Sequence, residues 1–394
     1  MNESKSVRYQ RLQRRARLAD VLAAVAWLAL LAFSPAAAGF VTFADALTQW
    51  APLSVRPLAS SAVFLVLLVL GWQTISTPAA LYLGTRVDRR FGRANHNVAA
   101  VIGGHWRAAW IGLAVVTLFW GVVALATLVM GPFWWLGAGA LSALGLAAAL
   151  QLAAALFLRL EETRPVGRRS LMSALREIAR RSGVAVSDIA EWQVEEGARA
   201  TALIAGLGSS RRVLVSSELL RDWSDDEIAV VVAHELGHHV HGDLWRTLLC
   251  DAAVLSIGFG VAQLLGAHQG GFSAGDAVVS RLPLIALIVA SVWLAATPLR
   301  LAQSRGHERR ADRFALDLTG EAAAFVVALK RLGARHLAEE EPSALVRWLF
   351  YRHPPVAERI ERAERFQKEG SAGRQSRGVQ QAPTRRTEVR RLRL

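Results

Sequence analysis

The sequence predicts a mainly α, polytopic α-helical membrane protein carrying an α+β domain on its cytoplasmic side. Three observations predict it. Of 394 residues, 53% are hydrophobic, and the mean hydropathy of +0.29 is high for a water-soluble chain. The apolar residues gather in six stretches of about 20 residues or more, enough to cross ~30 Å of hydrocarbon. Between these stretches lies a polar remainder with short strand-like runs and the pattern His234-Glu235-Leu236-Gly237-His238.

Residues 1–20 read as a basic cytoplasmic arm and residues 21–158 as a four-span membrane region, with spans at 21–40, 62–83, 108–130 and 134–158. The first span resembles a signal peptide in position. Pro35-Ala36-Ala37-Ala38 is a poor cleavage site, and the rest of the chain needs the topology this span sets, so a retained helix is expected. Residues 159–366 form the polar domain, interrupted at about 245–301 by a two-span hairpin (245–267 and 282–301). Residues 367–394, rich in Gly, Ser, Gln and Arg, read as a basic disordered tail.

Loop charge sets the orientation. Lys5, Arg8, Arg11, Arg14, Arg15 and Arg17 crowd the arm, and Arg86, Arg89, Arg90, Arg93 and Arg107 crowd the connection after span two. The opposite loops carry only Arg56 and Arg281. By the positive-inside rule, both termini and the polar domain face the cytoplasm. Abundant alanine and arginine suggest a high-GC bacterium, hence its inner (plasma) membrane. The formal charge of +14 raises nucleic acid as a partner. The basic residues flank spans instead of lining one recognition element, so anionic lipid explains them and no nucleic acid is expected. The lone Cys250 excludes an internal disulfide and a cysteine-rich metal cluster.

Within the polar domain, residues 171–182 have helical periodicity. Residues 192–194, 202–205 and 213–216 read as strands, the last two joined by a turn at Gly206-Leu207-Gly208-Ser209-Ser210. Ser224 and Glu227 then have capping-box spacing, and the acidic Asp225-Asp226-Glu227 suits a helix N-terminus. An apolar run at 228–233 follows, so the helix should be packed. On it His234 and His238, four residues apart, share one face, where two imidazoles can grip one zinc ion with Glu235 placed as general base. Gly237 costs about 1 kcal/mol against alanine in a helix and can admit a second segment close to that face.

Two histidines leave a catalytic zinc one protein ligand short. A third histidine ten residues after His234 is absent, since position 244 is leucine. A distant carboxylate is the next option. In Ser304–Asp312, Glu308 and Asp312 stand four apart, so one can bind metal while the other orients a ligand histidine.

These residues resemble the integral-membrane zinc endopeptidases of the type I CAAX prenyl protease and heat-shock membrane protease family. The likeness rests on His234/Glu235/His238, Glu308/Asp312 and His353-Pro354, on DDEIAVVVAHELGHHVHGD at 225–243, on 202–220 and on YLGTRVDRRFG at 82–92. It spans roughly residues 60–365. Thr201 stands where the family often has asparagine, and six spans are fewer than the seven of eukaryotic prenyl proteases. The resemblance implies a zincin-like domain with one Zn2+ held by His234, His238 and Glu308, Glu235 as general base and proton shuttle, and Asp312 behind a ligand. It also implies His353 as donor to the oxyanion, and Thr201, Ala202 and Arg359 in substrate binding, with peptide or membrane-protein substrates at the bilayer. A site-two-type intramembrane protease fits less well, because only six apolar residues precede His234 and polar HHVHGD follows. A catalytically inactive metal-binding scaffold or transporter is the non-enzymatic alternative, opposed by the intact residue set.

Overall fold

The computed structural model describes residues 5–91, 97–193, 201–206, 208–267, 277–335 and 342–380. The membrane region opens with α1 (Lys5–Phe33), α2 (Ala36–Thr48) and α3 (Arg56–Leu81). A π-helical turn (Tyr82–Val87) carries α3 into the short α4 (Asp88–Arg90). Then come α5 (Val98–Met130) and α6 (Trp134–Leu160). The segment read as a basic arm is helical from Lys5 and continues into the first span as one helix. The first span ends at Phe33, where Ser34 and Pro35 break the helix and α2 sets off as a distinct 13-residue apolar element. Proline lacks the N–H that would continue the ladder and tolerates a helix start.

Among the described residues, helices long and apolar enough to span number four, or five if the bent pair Val279–Ala295 and Thr297–Thr319 is one span. One of the four, Val98–Leu156, is 59 residues long, about 88 Å at 1.5 Å per residue and far beyond a bilayer. It is a hairpin: a Cβ at Gly137 would lie 3.4 Å from the Ala126 Cβ, whereas 11 residues along a continuous helix would separate them by roughly 16 Å. Gly131, at φ +50°, makes the reversal. Dividing that segment gives five crossings among the described residues, or six if the bent pair is one span. Their outer faces show Leu22, Phe33, Ile111, Val129, Leu144 and Leu249, as lipid-facing surfaces must. The chain is an integral membrane protein.

The second half holds a four-stranded sheet and a helical layer. The strands are β1 (Thr163–Pro165), β2 (Asp188–Trp192), β3 (Ala202–Ala205) and β4 (Arg212–Ser216), in the order β1-β2-β4-β3. β2 runs parallel to β4, and the β3–β4 pair is the expected antiparallel hairpin. The strand expected at 192–194 lies four residues earlier. Its Ala190 and Glu191 are poor strand formers, and pairing with the buried β4 supplies what local preference does not. Residues 194–200 lie outside the described residues.

Around the sheet pack α7 (Arg169–Ser182), α8 (Ser217–Asp222) and α9 (Asp225–Val240), followed by α10 (Asp243–Ala267), α11 (Ala277–Ala295) and α12 (Thr297–Thr319). The chain continues as α13 (Ala322–Arg335), α14 (Ala344–Phe350) and α15 (Val356–Gln380). Helix α15 reaches well into the segment assigned to a disordered tail; residues 381–394 lie outside the described residues. One core joins Leu171 and Leu175 of α7, Val213 and Val215 of β4, and Ile228, Val232 and Leu236 of α9. Pairings Gly258 with Val289, Asp251 with Arg300, Arg246 with Gln303 and Asp243 with Arg310 step in opposite directions along the chain. So α10 and α11–α12 form an antiparallel hairpin that returns α12 to α9, as the sequence required.

Candidate metal centre

Helix α9 begins as its sequence dictates. Ser224 Oγ accepts from the Glu227 N–H, and the Glu227 carboxylate accepts from the Ser224 N–H, closing both arms of the capping box. This fixes the phase of the helix, so Ile228, Val232 and Leu236 enter the core while His234 and His238 turn towards α12. Their Nε2 atoms lie 3.2 Å apart with the rings perpendicular. Two positive imidazoles would not sit so close; two Nε2 lone pairs converging on a shared acceptor of electrons would.

Glu308 of α12 meets them. Its Oε2 is 3.4 Å from His234 Nε2 and its Oε1 is 3.6 Å from His238 Nε2. One ligand atom from each residue falls within 4.8 Å of the others. Gly237 permits this approach: a Cβ there would lie 3.0 Å from the Ala311 Cα, one turn beyond Glu308.

Each histidine is held from behind by a carboxylate. His238 Nδ1 hydrogen-bonds Asp243 Oδ2 at 2.9 Å. His234 Nδ1 lies 2.9 Å from Asp312 Oδ1, a close ionic approach out of line with the ring N–H. Nδ1 protonation leaves Nε2 free to bind metal. Two imidazoles and one carboxylate, each imidazole backed by an acid and with one position open, are the donor set of a catalytic zinc site. The residues therefore fit such an ion.

Burial alone would lower the His234 pKa, but its contacts with Asp312 and Glu308 outweigh this and raise it to about 9. His234 must give up that proton before Nε2 can act as a ligand. Burial also pushes the Glu235 carboxyl above its ordinary range, against the pull of the neighbouring histidines, the direction a general base requires.

Two residues stand differently from the sequence expectation. Arg359, expected to contact substrate, is committed to Asp312 in a bidentate pair of 2.8 and 2.5 Å. Its fork geometry matches the carboxylate. Thr201 is occupied by the sheet: its N–H donates to Ser216 Oγ and its hydroxyl to the Ala202 carbonyl. Ala202 has its methyl buried in the core, leaving only its main chain for contact. Since the Thr201 carbonyl accepts from the Ser216 N–H, the alternate residues Ala202 and Ile204 aim their main-chain groups at the outer edge of β3, which pairs with no further strand among the described residues and where His239 faces the Ile204 main chain. His353 reaches Glu308 Oε2 through Nδ1 at 2.9 Å, with its side chain 64% exposed.

Asp243 is the residue the sequence reading passed over. It is buried, and it also accepts from Arg310 Nη2 at 2.8 Å. Gly242, at φ +62°, turns the chain between α9 and α10 so that a carboxylate five residues after His238 comes back to it. The Gly-Asp pair after the histidine was the available signal. His241 bonds back to the Gly237 carbonyl and is structural. His96, His268 and His336 lie outside the described residues.

The profile of Peptidase family M48 matches residues 165–367, the segment that holds every residue of this centre. The uncharacterized metalloprotease YhfN of Bacillus subtilis (strain 168) is 27% identical over 208 residues, covering 51% of this chain and 49% of YhfN. The match thus spans about half of that relative's length. Protease HtpX of Xylella fastidiosa (strain M23) is 27% identical over 218 residues, covering 51% of this chain and 74% of HtpX. The crystal structure of S. mikatae Ste24p superposes with a TM-score of 0.66 at 19% identity, over 82% of this chain and 79% of that one. That likeness extends the shared fold into the membrane helices.

Proposed function

The chain belongs to peptidase family M48, a family of metalloproteases, and from that premise we propose that it is a membrane-bound zinc endopeptidase cleaving membrane-associated proteins or peptides. The observation that carries the reading is the convergence of His234, His238 and Glu308, with the Glu235 carboxyl within electrostatic reach of all three.

His234, His238 and Glu308 hold the ion. When bound, Zn2+ supplies Lewis-acid polarisation of the scissile carbonyl and acidifies water towards pKa ~7. Glu235 takes a proton from the attacking water and delivers it to the leaving amine. Asp312 and Asp243 keep His234 and His238 in the tautomer and orientation that present Nε2, and Arg359 clamps Asp312 in turn. His353 meets Glu308 through Nδ1; in its imidazolium form, where both ring nitrogens carry protons, Nε2 can donate to the oxyanion. The substrate adds to the outer edge of β3 through the main chain of Ala202, a mode with little side-chain selectivity. Selection then comes from access at the bilayer, since α9 and α12 both adjoin membrane helices.

The active site faces the cytoplasm of a bacterial inner membrane, by the loop charges given above. Protein quality control suits such weak selectivity, with CAAX-type processing as the narrower possibility. The test is chelation and reconstitution of the purified protein with an unfolded membrane-protein reporter. One zinc per chain should restore cleavage; cleavage by chelated protein, or no recovery with zinc, rejects the proposal.

A further inference from the structure

A cavity of about 920 Å³ opens among α1, α3, α5, α10 and α11, away from the metal centre. Its walls are overwhelmingly apolar: Trp27, Leu68, Val116, Phe119 and Leu282 line its deep part. Water needs two to four polar partners to settle, and such walls offer none. At one end only, polar groups gather: Arg17, Asp20, Gln73, Ser76 and His105. These lie towards the N-terminal end of α1, the C-terminal end of α3 and the N-terminal end of α5, which meet at the same membrane face. A large apolar pocket with a few convergent polar groups is the form of a ligand site.

The polar end has a definite unmet need. Gln73 Oε1 is buried without a hydrogen-bond partner. His105 does not satisfy it, because its Nε2 lies 3.2 Å from the Gln73 main-chain carbonyl, which only accepts, and so spends its proton there. No hydrogen bond or ion pair joins Arg17 or Asp20 to another described residue, and His105 is the charge-bearing group that acts on Asp20. Arg17 and Asp20 stand one turn apart on α1 and share a face. The mouth thus offers the Arg17 cation, the Asp20 carboxylate facing His105, and one orphan acceptor. A zwitterion carrying a phosphate and an N–H-bearing ammonium complements all three.

We propose that this cavity binds a phospholipid with a primary-ammonium headgroup, of the phosphatidylethanolamine class. The phosphate pairs with Arg17, the ammonium donates to Asp20 and Gln73 Oε1, and an acyl chain fills the apolar part. The length agrees. Along α5 the lining runs from His105 to Phe119, 119 − 105 = 14 residues, or about 21 Å. One leaflet of hydrocarbon is half of ~30 Å, so a chain of one leaflet fits within it. A trimethylammonium head has no N–H for the orphan oxygen, and an anionic head leaves Asp20 opposed. Contacts run from the cavity towards the helix that carries Glu308. Trp293 borders the cavity and stacks under Arg300 at 3.6 Å, Arg300 bonds Asp251 at 2.7 Å, and α12 continues from there to Glu308. A ligand bound only by the folded chain stabilises it by mass action, so lipid loading should raise the thermal stability.

The test uses full-length protein, purified in detergent and stripped of lipid. Native mass spectrometry would follow titration with phosphatidylethanolamine, phosphatidylcholine and phosphatidylglycerol. The ethanolamine lipid should bind about tenfold tighter than the other two, and Asp20→Asn should remove that preference. A Cβ at Gly112, which lines the cavity, meets nothing within 4 Å. Gly112→Phe should accordingly expel the tight lipid while metal content stays at the wild-type level. Equal binding of the three lipids, no retained lipid, or a Gly112→Phe protein that keeps the lipid would overturn the assignment. So would loss of preference failing to follow from Asp20→Asn.

Discussion

Replacing Gly237 with alanine sets two opposing terms against each other. Alanine in a helix is favoured over glycine by ~1 kcal/mol. The added Cβ would lie 3.0 Å from the Ala311 Cα, 3.2 Å from Phe314 Cδ1 and 3.3 Å from the Ala311 Cβ. Carbon atoms settle at about 3.5–4.0 Å, so α9 and α12 must part by roughly 0.5 Å or more. Backbone is among the obstructing atoms, so a rotamer change cannot relieve it. Overpacking of this kind costs about 1–3 kcal/mol, which matches or exceeds the propensity gain. Function should suffer more than stability. Glu308 lies one turn from Ala311 on the helix that moves, and metal–ligand distances tolerate only about ±0.2 Å. We expect zinc affinity, measured by chelator competition, to fall by about tenfold to a hundredfold, as it does when the support of ligands is disturbed. Unfolding should shift little. Unchanged affinity together with a gain of ~1 kcal/mol in stability would refute the close-approach argument.

Asp243→Ala should also weaken zinc binding by about tenfold to a hundredfold, because it frees His238 Nδ1 and leaves Arg310 without its acceptor; titration with a zinc chelator checks it. Ser224→Ala removes one arm of the capping box and should cost ~1 kcal/mol in thermal or denaturant unfolding, with zinc content unchanged. In a Cys250→Ala background, a cysteine replacing Ser209 should react in intact cells only with membrane-permeant reagents, and one replacing Ser54 with impermeant ones. The reverse labelling would invert the orientation.

What the sequence revealed and what it hid divide along physical lines. The start of α9, the shared face of His234 and His238, and the four-residue spacing of Glu308 and Asp312 follow from local sequence, and Glu308 and Asp312 both meet His234. The return of α12 was legible because two apolar spans must fold back. Asp243 was not, because its role depends on the left-handed turn at Gly242 and not on helical periodicity. Arg359 read as free to meet substrate, since nothing local announces a partner 47 residues away. Strand β2 lacks β-forming residues at its centre and owes its place to β4. The break at Ser34-Pro35 lay inside a continuous apolar run, where hydropathy alone cannot place an end. The polar mouth of the membrane cavity comes from three helices, each contributing one or two residues.

The central claim is that Glu235 moves protons beside an ion it does not hold. Glu235→Gln preserves shape and removes the base, so the decisive measurement is zinc content and proteolysis on the same purified sample. The account predicts about one zinc per chain, as in the wild type, with cleavage reduced by ~10²–10⁴-fold. Zinc loss on substitution, or cleavage near the wild-type rate, would contradict it.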